Sequence, residues 1–264
     1  MPGRTIISWR STVNTDSNVF PPVRSRLLTE ANEHLLRMTA SSTIDQLNSR
    51  LLEGLAKPEL MSILAAAIPK RFYANSVVTN QGQPADRLFL LTKGRARFFS
   101  VTEEGKKFIL LWLPPGEIFG GRTLLPVRSS YLASTEAVRE SWALMWDRNT
   151  IRGLATRYPR LLDNGSSIAS EYLAEHLESY LALTRHDARQ RLVHVLTTIA
   201  PSIGHSVSDG VELDVTNEEL ANTANVTLFT ASRLLSEWQR SGDVLKRRGK
   251  LLLRFPERLL RQSA

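Results

Sequence analysis

Residues 213–238 read LDVTNEELANTANVTLFTASRLLSEW, and their spacing decides the architecture. Thr216 and Glu219 stand at capping-box spacing, which predicts a helix starting at Thr216 with Leu220, Ala221 and Ala224 turned inward. Asn225 tolerates the left-handed conformation that a tight turn needs. Thr227 is the expected N-cap of a second helix, in which Ala231, Leu234, Leu235 and Trp238 fall at i, i+3, i+4 and i+7 and form one apolar face. The opposite face carries Phe229, Ser232, Arg233 and Ser236. Two short helices, the second with a polar, Arg-bearing outer face, are the parts of a helix-turn-helix; an αα-hairpin used only for packing shares them. The residues after Gly242 separate the two. Val244-Leu245-Lys246-Arg247-Arg248-Gly249-Lys250-Leu251-Leu252-Leu253 predicts two strands about a glycine turn with a basic tip. Helix, turn, helix and basic wing in this order is far more specific than the helices alone.

The charge agrees. The 264 residues, enough for two modest domains, carry 34 Lys and Arg against 26 Asp and Glu, a net +8. From Asn225 onward nine basic residues face three acidic ones, the local excess that a phosphate-facing surface needs. Without the helix-turn-helix, a solvated charged face would explain it as well. The chain has no cysteine, which excludes disulfides, cysteine-ligated zinc and cysteine-held iron–sulfur clusters. No apolar run approaches the ~20 residues of a membrane helix, and the start lacks a signal peptide's apolar stretch. The expectation is a cytoplasmic protein with no membrane partner.

Working outward, residues 1–40 are rich in Ser, Thr, Asn and Arg and predict a disordered extension, with one turn of helix about 27–36. Residues 47–64 have helical spacing. From 71 to 146 the pattern changes to short strands broken by turns at Gly82, Gly94, Gly105 and Gly116, the pattern of an all-β sandwich or barrel. Asp147 is placed to cap a short helix through Ala155. Pro159 opens the next helical segment, which Asn164-Gly165 should weaken or kink. Beyond it Ala169, Leu173, His176, Tyr180 and Leu183 recur at a 4-3-4-3 spacing, a coiled-coil seam of about two and a half heptads. Ile168, Tyr172, Leu177 and Leu181 flank that seam and are expected to pack on the β-sandwich. An ordinary amphipathic helix fits the same spacing. A helix over 187–200, stopped by Pro201, then leads to a loop over 202–210 and a short strand over 211–213.

Glu218-Glu219-Leu220-Ala221, the turn through Val226-Thr227, and Ser232-Arg233-Leu234-Leu235 resemble the helix-turn-helix of the Crp-Fnr family of bacterial transcription regulators. Asp187-Ala188-Arg189-Gln190-Arg191-Leu192 is similar to the opening run of that family's DNA-binding domain, and the turns over 71–146 are similar in order to its cyclic-nucleotide-binding β-roll. The likeness runs from Ile44 to about Leu260, so Met38 stands beside Met1 as a candidate start. It implies an α+β fold. Its parts are an extension over 1–40, a β-roll sensor over 41–158, a dimerisation helix over 159–186 and a winged helix over 187–264. It also implies a homodimer with Ala169, Leu173, His176, Tyr180 and Leu183 in the seam, double-stranded DNA as partner, and RNA polymerase as a second one. His176 could hold haem, as in some members, or set the register of the seam.

In the family a glutamate after a Phe-Gly pair holds the ribose of a cyclic nucleotide, and an arginine about ten residues later pairs with its phosphate. Here Phe119-Gly120 is followed by Gly121, and Ser130 and Tyr131 fall where the Arg-Ser-Ala run should begin. Candidate effector contacts are Gly116, Glu117, Phe119, Gly120, Arg122, Ser130 and Tyr131, with no cofactor expected and cyclic AMP or GMP disfavoured. The resemblance places DNA contacts at Thr227, Leu228, Phe229, Ser232 and Arg233 on the second helix and at Lys246, Arg247, Arg248 and Lys250 on the wing. Arg233 is suited to a guanine edge and the wing cations to phosphates. Leu228 and Phe229 replace the family's usual Arg-Glu. No nucleophile motif, phosphate loop or metal spacing supports an enzyme. The reading is a Crp-Fnr-like regulator; a small-molecule-binding roll that has lost DNA binding is the alternative.

Overall fold

A computed structural model of the chain describes residues 48–247 and 249–263. The extension over 1–40 with its turn of helix, Met38, Ile44 and Arg248 lie outside the described residues. A 3-10 turn, Arg50–Leu52, and helix α1, Lys57–Ala65, precede the roll. Its strands are β1 Ile68–Phe72, β2 Ser76–Thr79, β3 Arg87–Lys93, β4 Ala96–Val101, β5 Lys107–Leu113, β6 Ile118–Phe119, β7 Ser134–Ala137 and β8 Ser141–Asp147. A 3-10 turn, Gly121–Leu124, lies between β6 and β7. The strands form two antiparallel four-stranded sheets in the orders β1-β8-β3-β6 and β2-β7-β4-β5.

The near-continuous apolar run of β3 follows from burial on both faces. Phe89 and Leu91 point between the sheets with Phe119, Ala143 and Met145. Leu88 and Leu90 point the other way, with Leu144 and Trp146 of β8, into a second core built with the helices. There Trp146 donates its indole N–H to the Ile63 carbonyl of α1 at 2.8 Å. Helix α2, Arg148–Arg157, is capped by the Asp147 carboxylate, which accepts from the Thr150 N–H.

Helix α3, Arg160–Arg185, runs unbroken through Asn164-Gly165, where the composition predicts a kink. Both residues serve docking. The Asn164 amide donates to the Leu51 and Glu53 carbonyls at 2.9 Å each. A Cβ on Gly165 would stand 2.8 Å from Leu124 Cδ1, so the missing side chain is what admits the roll. Ile168 and Tyr172 pack on the roll as expected. Leu177 and Leu181 do not; both are exposed.

The last unit comprises α4 Ala188–Ile203, β9 His205–Val207, β10 Gly210–Leu213, α5 Asn217–Thr223, α6 Leu228–Ser241, β11 Val244–Arg247, β12 Lys250–Leu253 and α7 Pro256–Ser263. Pro201 does not stop α4. It sits in the final turn, which Gly204 closes by donating to the Ala200 carbonyl at 3.1 Å. The expected loop over 202–210 contains β9, which completes a sheet ordered β11-β12-β10-β9.

The two units share a core. Ile109 and Trp112 of β5 are buried among Leu192, Leu196, Leu220 and Trp238. Around them lies an ion-pair network. Arg97, 8% exposed, donates to Glu136 at 2.7 Å and to Glu219 of α5 at 2.8 Å. Lys107 reaches the other Glu136 oxygen at 2.5 Å. Arg95 pairs with Asp214 at 3.3 Å, and the Arg95 and Arg97 guanidinium carbons lie 5.2 and 5.6 Å from the centre of the Trp112 ring.

Candidate nucleic-acid interface and effector region

The helix-turn-helix is held by local polar contacts. Thr216 Oγ1 accepts from the Glu219 N–H at 3.1 Å, and the Glu219 carboxylate accepts from the Thr216 N–H at 2.7 Å. Asn225, at φ 48°, makes the turn, and the Val226 N–H bonds the Ala221 carbonyl at 3.0 Å. Thr227 caps α6 by accepting from the Thr230 N–H. Ala231, Leu234, Leu235 and Trp238 are buried, so the orientation of α6 about its axis is fixed.

That fixes what faces outward. Phe229, Arg233 and Ser236 are turned away from the core, Leu228 lies at the edge of the buried face, and all four are exposed. Ser232 accepts a hydrogen bond from the Asn217 amide at 3.0 Å, tying α6 to α5. In the wing, Lys246 donates to Ser236 at 3.2 Å and so lies against α6 itself; burial pushes its pKa down. Lys250 pairs with Glu212 of β10 at 2.6 Å, and Arg247 stands 4.0 Å from the same carboxylate. The hydrogen bond from Lys250 holds the Glu212 carboxyl below its ordinary range. Glu212 carried no motif in the sequence, and it orients the wing cations before any polyanion arrives. A crevice of about 280 Å³ between wing and α5 is lined by Thr216, Asn217, Lys246, Arg247 and Lys250 among others.

On α3 the five seam residues Ala169, Leu173, His176, Tyr180 and Leu183 are all exposed, Leu173 and Tyr180 at 60% each. With Leu177 and Leu181 they make an apolar stripe with no partner within the described part of the chain.

Of the effector candidates, Gly120 and Tyr131 are brought together, while others have partners of their own. Glu117 is engaged elsewhere: it accepts from Arg50 at 2.7 Å and from the Tyr172 hydroxyl at 2.6 Å. Burial and the Glu117 charge push the Tyr172 hydroxyl well above the usual phenol range, so it stays a donor. Phe119 stacks on Phe89 in the core, ring centroids 4.6 Å apart. Gly116 lies in a turn, and Ser130 bridges to Pro84. Tyr131, near the position where the family resemblance expects the phosphate-binding arginine, is turned onto β3. Its hydroxyl donates to the Arg87 carbonyl at 3.1 Å and accepts from the Arg87 N–H at 3.2 Å. Its ring passes so close to Gly120 that a Cβ there would sit 3.2 Å from it and 2.3 Å from the Arg87 carbonyl. The segment around Arg122 is fastened by arginines that sequence reasoning missed. Buried Arg148 donates to the Thr123, Leu125 and Pro126 carbonyls, and Arg152 to Leu124.

Two family models match the chain: a cyclic nucleotide-binding domain over residues 69–158 and a Crp-like helix-turn-helix domain over 190–262. The chain is 27% identical over 197 residues to a cyclic AMP receptor protein of Thermus thermophilus, covering 74% of this chain and 88% of that one. It is 20% identical over 215 residues to a CRP-like cAMP-activated global transcriptional regulator of Mycobacterium tuberculosis, covering 81% and 96%. The structure of FixK2 from Bradyrhizobium japonicum shares the fold at a TM-score of 0.66 and 19% identity, covering 75% of this chain and 98% of the other. The two family models thus cover the roll and the winged helix, the FixK2 structure shares the fold, and the chain belongs to the Crp-Fnr family of transcription regulators, which bind DNA through a helix-turn-helix and act as dimers.

Proposed function

We propose that this chain works in the cytoplasm as a homodimer that binds two-fold-related sites on double-stranded DNA and regulates transcription by placing or blocking RNA polymerase. The observation that carries it is the outward row of α6 beside the cationic wing, both held ready by Thr216, Thr227 and Glu212. Folding needs neither an exposed arginine there nor three ordered cations alongside. Support for a dimer comes from the exposed stripe on α3, since a second copy presents the same stripe across a two-fold axis. Among the described residues no helix is long and apolar enough to cross a membrane. Selection of bound fragments from a random DNA pool tests the reading. It predicts an inverted repeat with half-sites about one helical turn apart. Recovery of no bound DNA would instead favour a roll protein that has lost DNA binding.

The roll, on this proposal, takes neither cyclic AMP nor cyclic GMP. Gly121 offers no carboxylate for a ribose, Tyr131 offers no charge for a phosphate and covers Gly120, and Glu117 is held by Arg50 and Tyr172. A buried phosphate left without a cation costs several kcal/mol. Calorimetry with either nucleotide should therefore show no heat of binding at physiological concentration; micromolar affinity at one site per subunit overturns this part.

A further inference from the structure

We propose that Leu228 and Phe229 read the C5-methyl groups of thymine, so that this regulator's operator depends on those methyls. This rests on the DNA-binding reading above. Phe229 is 77% exposed and Leu228 52%, although both stand in the first turn of a helix that buries Ala231, Leu234, Leu235 and Trp238; Phe229 lies opposite that face and Leu228 at its edge. Core packing has no use for them. Phe229 lies on the outward row, with Arg233 four residues on and Ser236 seven. A phenyl ring can neither donate to nor accept from a base edge, and in the major groove only thymine presents an apolar group.

The surroundings favour DNA over a protein as occupant. Arg233 follows on the same face and Lys246 bonds Ser236 there, so the apolar pair sits inside a cationic surface. Two side chains are also far too little for a stable protein interface. Along α6 the Phe229 and Arg233 positions are about 6 Å apart, roughly two base-pair steps. The methyl and the guanine read by Arg233 therefore lie within about two base pairs of each other in each half-site.

The test starts from an operator selected with the full chain. Thymines are replaced by deoxyuridine in symmetric pairs, which removes the methyl and keeps base pairing, and affinity is measured by fluorescence anisotropy. One methyl is worth about fourfold per half-site, so symmetric replacement in both half-sites should weaken wild type about fifteenfold at one or two positions. In Phe229→Ala or Leu228→Ala, both fold-checked by circular dichroism, a sensitive position should become indifferent to uracil. Arg233→Ala should keep its sensitivity. The proposal is overturned if every uracil operator binds wild type within twofold, or if both alanine variants retain the full uracil penalty. If the pool yields no bound DNA at all, the DNA-binding reading fails and this one falls with it.

Discussion

Leu173→Glu is expected to give a folded monomer that no longer binds operator DNA. Leu173 is 60% exposed in the single chain, so a glutamate there costs the isolated subunit little. Across a two-fold seam the same change sets two carboxylates into the contact between Ala169 and His176, at a cost of several kcal/mol. Sedimentation at micromolar concentration should show a monomer with unchanged helix content. A monomer engages one half-site at a time, which should reduce operator affinity about a hundredfold or more. Leu173→Met should remain a dimer. A Leu173→Glu protein that sediments as a dimer places the interface elsewhere.

The second large effect concerns Glu136, which is 4% exposed and holds Arg97, the residue that bridges roll and winged helix. Removing it leaves Arg97 buried with Glu219 as its remaining carboxylate and strands Lys107. Breaking such a buried pair costs about 3–5 kcal/mol, so Glu136→Ala should lower the denaturant midpoint sharply. Lys107→Ala, on the wetter side of the network, should cost about 1 kcal/mol or less. Acid provides a separate check. Burial raises the Glu136 carboxyl, but hydrogen bonds from Lys107 and Arg97 outweigh it and leave the group below the ordinary glutamate range. The stabilisation is therefore present above that range and lost as pH falls through the depressed folded value. Wild type should lose more stability than Glu136→Ala over that interval. Equal acid sensitivity in the two would remove Glu136 from this role.

The helix-turn-helix was legible because its signals are local. A capping box at Thr216 and Glu219, a turn residue at Asn225, a second cap at Thr227 and a single apolar face on α6 all lie within residues 213–238. The roll was legible through its glycine turns. What escaped were contacts between distant residues. Arg95 and Arg97 alternate along the chain like a solvated face, and nothing near them points to Asp214 or Glu219, more than a hundred positions away. Asn164-Gly165 has a helix-breaking composition, yet the fold uses Asn164 to hold the turn before the roll and Gly165 for close approach to the roll itself. Pro201 has the character of a helix stop, but a proline in a final turn forfeits only one hydrogen bond and α4 absorbs it. Leu177 and Leu181 share the periodicity of the residues that do pack, and periodicity alone cannot say where the roll ends.

The most direct test is the division of labour between recognition helix and wing, read as affinity for operator and for scrambled DNA across a salt series. Arg233 is exposed on the outward row of α6, where a paired contact with guanine discriminates by about 1–3 kcal/mol. Arg247 is 60% exposed on the hairpin beside it, placed for phosphates. Arg233→Ala should lose most of the preference for operator while keeping its salt slope. Arg247→Ala should weaken both DNAs alike and reduce the slope by about one per subunit for each phosphate that Arg247 neutralises. If Arg247→Ala abolishes the preference while Arg233→Ala leaves it intact, α6 is not the element that reads the bases.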